Sequence, residues 1–201
     1  WVPDTLSPAM HAAPPMEERP SAQEFRRLPA RPILTVAQMT AADAAAIAAG
    51  TPGIELMERA GQAVAEAVTQ RFRAQPTLVL CGPGNNGGDG YVVARLLKAK
   101  GWPVEVRALG DPATDDAKAA AARWDGVTKP LNGSLAGSLV IDALFGAGLS
   151  RPLDAVAANA ATQLASRPDT VVAIDVPSGV PGDTGQPKGA AVGAALTVTF
   201  H

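Results

Sequence analysis

From Thr77 to the end of the chain, short apolar runs and helical stretches take turns, and this alternation constrains the fold more than any other feature. "TLVLC" reads as a strand and "DGYVVARLLKAKG" as a helix. "PVEVRAL" reads as a strand, "DDAKAAAARW" as a helix, "SLVIDAL" as a strand and "LDAVAANAATQLASR" as a helix. "TVVAID" and "ALTVTF" are the last strands. Apolar strands separated by helices predict an α/β chain with a mostly parallel sheet covered on both faces. Upstream, Thr35 with Gln38 three residues on forms a capping box for a helix that Gly50 stops. Residues 54–73 place Ile54, Met57, Gly61, Val64, Val68 and Phe72 on one helical face, which reads as core.

Sheets of this kind take their ligands at the carboxyl ends of the strands. The unusual loops of this chain, "GPGNNGGDG", "FGAGLSRP" and "VPSGVPGDTG", all follow strands. Their convergence on one rim is the main sign of a site.

In the first loop Gly82-Pro83-Gly84-Asn85-Asn86-Gly87 spells G-x-G-x-x-G between a strand and a helix, which is the dinucleotide fingerprint. Asp89 argues against a phosphate here, because the sequence puts it at or just inside the helix N-terminus. There it would cap the free N–H groups and repel an anion. A phosphate loop of the Lys-Ser/Thr type is also excluded, since Gly88 and Asp89 stand where those residues belong. The Asn and Asp oxygens suit a hard cation or the hydroxyl and amide groups of a ligand. The alternative is a tight Asn-Gly and Asp-Gly turn with no ligand. On this reading the loop holds a cation and one end of a ligand rather than a pyrophosphate.

The second loop ends its strand with Asp142 and then offers Gly146, Gly148, Ser150 and Arg151. Glycines let backbone N–H groups approach a ligand and Arg151 supplies the fork that favours phosphate, so this is the better phosphate candidate; the alternative is a turn with a solvated Arg. The third ends its strand with Asp175, followed by Pro177, Ser178 and Gly179. A carboxylate at a strand end can take up a proton or orient a hydroxyl; it can equally serve only to bond turn N–H groups.

Several classes of chemistry are excluded. The two histidines, His11 and His201, lie at the ends of the chain, which leaves neither a Ser-His-Asp triad nor a His/Cys zinc site. A formal charge of -2 gives no reason to expect nucleic acid or an anionic membrane as partner. No apolar stretch reaches the roughly 18 residues of a membrane span, and no secretory signal is recognisable. A single cysteine, Cys81, permits no internal disulfide and points to a reducing, cytoplasmic compartment; its place in a strand reads as an inert core thiol. Residues 1–32 hold seven of the 18 prolines and predict an extended or disordered arm ahead of a domain over 33–201. Trp1 at the start leads us to expect a fragment or a processed form.

The motifs "ILTVAQM…GIELMERAG", "GPGNNGGDGYVVARLL", "DALFGAGLSRPL", "AIDVPSGVPGDTG" and "LTVTF", in this order, resemble the YjeF N-terminal domain family of NAD(P)HX epimerases. The resemblance implies a Rossmann-like three-layer α/β/α sandwich, a homodimer, and epimerisation of hydrated NADH and NADPH at C6 of the nicotinamide ring. It also implies a potassium ion on Asn86, Asp142 and Ser178. Substrate contacts are implied for Asn85, Asn86, Gly87, Gly88 and Asp89, for Gly146, Ala147, Gly148, Leu149, Ser150, Arg151 and Pro152, and for Asp175. Asp175 is expected to handle the hydroxyl proton, with Asp89 as second candidate. Some relatives carry a C-terminal ADP-dependent dehydratase domain, which is not in this chain. The family pattern continues past "TVTF", so a C-terminally truncated domain is expected. The competing expectation is a non-catalytic nucleotide- or partner-binding module of the same fold.

Overall fold

Among the described residues of this protein the strands lie in a single sheet of order β3-β2-β1-β4-β5-β6, in which every pairing is parallel. Its computed structural model describes residues 34–200; the proline-rich arm, His11 and His201 lie outside them. The elements run α1 (Val36–Ala48), α2 (Gly53–Arg71), β1 (Thr77–Cys81), α3 (Asn85–Ala99), β2 (Val104–Ala108), α4 (Asp115–Ala122) and β3 (Thr128–Pro130). Then come β4 (Leu139–Ala143), α5 (Ala155–Leu164), β5 (Val171–Ile174) and β6 (Leu196–Val198).

Period-two alternation sorts each central strand between two cores. Val79 and Cys81 of β1, Ile141 and Ala143 of β4, and Val172 and Ile174 of β5 pack with α2, α3 and α4. Leu78 and Leu80, Val140, and Val171 face the other way, onto Ala157, Ala160, Ala161 and Leu164 of α5. This is the expected three-layer α/β/α arrangement. Each fully buried Leu, Ile or Val contributes about 1.5–3 kcal/mol, so Leu80→Ala would cost about 2–5 kcal/mol. Right-handed crossovers put α3 and α4 on one face and α5 on the other, and the chain changes direction between β1 and β4. The loops after β1, β4 and β5 therefore open onto one crevice.

The capping box at Thr35 and Gln38 is formed, and Gly50 takes φ +98° just past the end of α1. The stripe expected on α2 is buried at Met57, Gly61, Val64 and Val68. α1 buries none of its residues. Its first N–H, from Val36, donates to Asp183 Oδ1 at 2.9 Å, which ties it to the loop after β5.

One expectation needs correction, and one strand was not foreseen. α3 begins at Asn85 rather than near Asp89, so most of the glycine-rich loop is helix. β3 had no counterpart in the sequence reading: its three residues are exposed and end in Pro130, which only an edge position tolerates. Among the described residues no helix is long and apolar enough to cross a membrane.

Candidate functional site

The glycines of the first loop answer to packing. A Cβ on Gly82 would overlap the Leu144 carbonyl, and one on Gly87 would overlap the carbonyl of Gly82. Side chains at Gly88 and Gly90 would strike Met57, and Ala143 with Cys81, respectively. α3 thus sits closer to β1 and β4 than any other residue would allow. Gly84 differs: nothing lies within 4 Å of its would-be Cβ, and it is the N-cap of α3.

The early start of α3 also moves Asp89. It lies in the second turn and caps nothing; the first turn has no acidic residue and no side-chain cap. Burial, followed by the charges of Asp175 and of Asp43 on α1, holds its carboxyl well above the usual carboxylate range. An anion at this helix end therefore meets no capping carboxylate, contrary to the charge argument made from sequence.

Asn85 and Asn86 diverge. Asn85 Oδ1 accepts from the hydroxyl of Thr114, the N-cap of α4. Both polar atoms of the Asn86 carboxamide are shielded from solvent and have no protein partner. Buried polar groups are nearly always bonded, so these two atoms are matched to something outside the protein fold.

At the end of β4, Asp142 is fully buried and held by Ser178 from the loop after β5. Ser178 N–H donates to Asp142 Oδ2 at 2.8 Å and its hydroxyl to Oδ1 at 2.6 Å. The same hydroxyl accepts from Phe145 N–H at 2.9 Å, and Leu144 N–H adds a 3.3 Å bond to Asp142. Burial raises the Asp142 carboxyl above its ordinary value, against the opposing pull of those bonds. A buried carboxylate raised in this way gains from a nearby positive charge.

Asp175 stands one loop away in the left-handed region, φ +66°, the only described residue other than glycine with positive φ. Its Oδ2 accepts from Ala147 N–H at 2.7 Å. A Cβ on Gly146 would come within 2.5 Å of that oxygen and 3.6 Å of Asn86 Cβ, so Gly146 is where Asn86 and Asp175 converge. Gly148, Ser150, Arg151 and Pro152 continue this loop toward solvent, with Leu149 half-buried. Arg151 has no ion-pair partner among the described residues.

Asn86, Asp142 and Ser178 are thus gathered around residues 144–147. A carboxamide oxygen, a carboxylate and a hydroxyl form a hard-donor set, suited to a cation that prefers oxygen. The described residues contain no group of three His, Cys, Asp or Glu placed to hold a metal. Sequence reasoning missed the donor Phe145 N–H and the bond from Ala147 N–H to Asp175, and also Asp43, which reaches the site only through the placement of α1. Cys81 is buried and burial pushes its thiol up, in keeping with an inert core residue. A shallow depression at the opposite rim, by Pro76, Pro103 and Glu105, offers no comparable set: Glu105 is already paired with Arg107 and Lys129.

Comparison with known proteins agrees with this fold. The family described as YjeF-related protein N-terminus matches residues 53–201. An NAD(P)H-hydrate epimerase of Rhodobacter capsulatus is 43% identical over 190 residues, spanning 84% of this chain and 88% of its own. A bifunctional NAD(P)H-hydrate repair enzyme of Pyrobaculum aerophilum is 40% identical over 183 residues, but these make up only 36% of its length. The crystal structure of yeast ynu0 superposes with a TM-score of 0.62 at 26% identity, covering 75% of this chain and 71% of its own.

Proposed function

Since the chain belongs to the family of the YjeF-related protein N-terminus, we propose that it is an NAD(P)H-hydrate epimerase, an isomerase that repairs damaged nicotinamide dinucleotides. The observation that carries this reading is the convergence of Asn86 and Asp175 on Gly146, next to the Asp142–Ser178 pair.

The substrate carries a hydroxyl on C6, beside the ring nitrogen. Removing the hydroxyl proton lets the C6–N bond open to an aldehyde, and closure on the other face returns the proton and inverts the centre. Such a step needs only modest general acid–base help, worth about 10²–10⁴-fold. Asp175 takes the hydroxyl proton: Ala147 N–H fixes its Oδ2 and leaves the second oxygen for the substrate. Asp89, whose carboxyl keeps its proton to higher pH, is the acid that serves the ring nitrogen. Arg151 and the backbone of residues 146–152 receive the phosphate nearer the nicotinamide, and residues 85–89 form the facing wall.

Asn86, Asp142 and Ser178 would hold a potassium ion; when bound, it supplies positive charge next to the buried Asp142 carboxylate. An unpartnered buried amide oxygen and a carboxylate raised by burial support this assignment. A homodimer is supported by α1, an alanine-rich helix with no buried residue. The single, buried Cys81 fits a cytoplasmic setting. A dehydratase, fused or separate, would consume one of the two epimers.

The test mixes the R epimer of hydrated NAD(P)H with an S-specific dehydratase and ADP and follows recovery of NAD(P)H. The chain should accelerate recovery and Asp175→Ala should abolish the acceleration. Recovery no faster than spontaneous epimerisation, from folded protein, would overturn the assignment.

A further inference from the structure

In a sheet of this order a dinucleotide lies across the switch point, one nucleoside over each half. On the epimerase reading, from which this inference starts, the nicotinamide half lies with Asp175 at the end of β5. The adenosine half then falls on the other side of β1, over the end of β2.

The turn between β1 and α3 has the shape this requires. Gly82 and Gly87 are in backbone contact that excludes any Cβ, while Gly84 is open, so its backbone can approach a pyrophosphate. The first turn of α3 is free of acid, and the unpartnered Asn86 carboxamide stands within it.

The residues past the end of β2 are bound to this turn. Ala113 N–H donates to the Pro83 carbonyl at 2.8 Å, and the Thr114 hydroxyl donates to Asn85. In this loop Asp111 is exposed, and no ion-pair partner for it exists among the described residues. Gly110, just before it, has no atom within 4 Å of its would-be Cβ. Asp115 pairs with Lys118, and Asp116 is half-buried against Gly53. From Leu109 to Ala117 the chain has three aspartates and neither Lys nor Arg.

We propose that Asp111 is a specificity-determining residue whose carboxylate accepts from the adenosine ribose 2′-hydroxyl and repels a 2′-phosphate. Hydrated NADH is then preferred over hydrated NADPH. A carboxylate can only accept, which suits a ribose hydroxyl. A 2′-phosphate brings like charge to a loop that lacks the arginine it would need.

The test measures kcat/KM for the two hydrated dinucleotides and, separately, the affinities for NAD⁺ and NADP⁺ by calorimetry. Both should favour the form without the 2′-phosphate by about tenfold. Asp111→Asn should bring both ratios close to one, through KM, and Asp111→Arg should reverse them. Asp169→Asn, the same charge change at the amino end of β5, should leave them as they are. Equal preference in the unaltered chain, ratios that Asp111→Asn does not move, or an equal change in Asp169→Asn would each overturn the inference while the epimerase reading stands. If neither compound is epimerised but NAD⁺ still binds tighter than NADP⁺ in an Asp111-dependent way, only the assigned activity falls. With neither epimerisation nor dinucleotide binding, both fall.

Discussion

Ser178 grips Asp142 with two donors, its backbone N–H on one carboxylate oxygen and its hydroxyl on the other, so the ends of β4 and β5 are locked through a single buried pair. The lock passes on to Phe145 N–H and so fixes the chain leading into Gly146.

Removing the hydroxyl should therefore cost more than one bond. Ser178→Ala leaves Asp142 Oδ1 with only the long bond from Leu144 and orphans Phe145 N–H. Stability should fall by about 1–3 kcal/mol, readable in urea unfolding. A loss under about 0.5 kcal/mol would mean that water replaces the hydroxyl.

The role proposed for Asp175 rests on an unusual backbone. Asn tolerates the left-handed region and can still accept from Ala147 N–H. Asp175→Asn should thus unfold within a few degrees of the unaltered chain while losing about 10²–10⁴-fold in epimerisation. Retained activity would transfer the proton to another group, with Asp89 first in line.

The raised Asp89 carboxyl makes stability depend on pH with a definite sign. The folded state keeps its proton above the unfolded value of about 3.9, so the folded state binds more protons in that window. The contribution is fully present below about pH 3.9 and is lost as pH rises through the folded value. Asp89→Asn should match the unaltered chain at the acid end and exceed it in stability toward neutral pH. Parallel stability–pH curves from denaturant titrations would refute this.

Gly87 and Gly84 should separate packing from exposure. Gly87→Ala drives a Cβ into the Gly82 carbonyl and should cost about 3 kcal/mol. Gly84→Ala enters open space and should cost about 1 kcal/mol or less. Similar melting points for the two variants would contradict the close approach of α3 to β1.

Potassium should raise the midpoint of thermal unfolding relative to a bulky organic cation, and Asn86→Ala should remove the difference. The midpoint should move only when the ion is varied, with ionic strength held constant.

The central strands were legible because each is a buried apolar run flanked by Gly, Pro or charge. The start of α3 was not: Asn-Asn-Gly-Gly has poor helix propensity, and tertiary packing that admits only glycine overrides it. That one boundary carried Asp89 with it, turning a supposed helix cap into a half-buried acid. Asp142, Asp175 and Ser178 could be picked out as polar residues at strand ends. The backbone donors that hold them, and the bond from Val36 to Asp183, join segments far apart in sequence and leave no local signal.

Strand order also sets a timetable. β1 lies between β2 and β4, and Thr77 cannot pair with Leu139 until the whole β2–α4–β3 segment has been made. Asp142 waits longer still, for Ser178. A chain emerging from the ribosome can close its β1–β2–β3 half early, because those contacts span less sequence. The half that carries Asp142, Asp175 and Ser178 forms last, so a nascent chain joins these three residues only when both core layers close around β4 and β5.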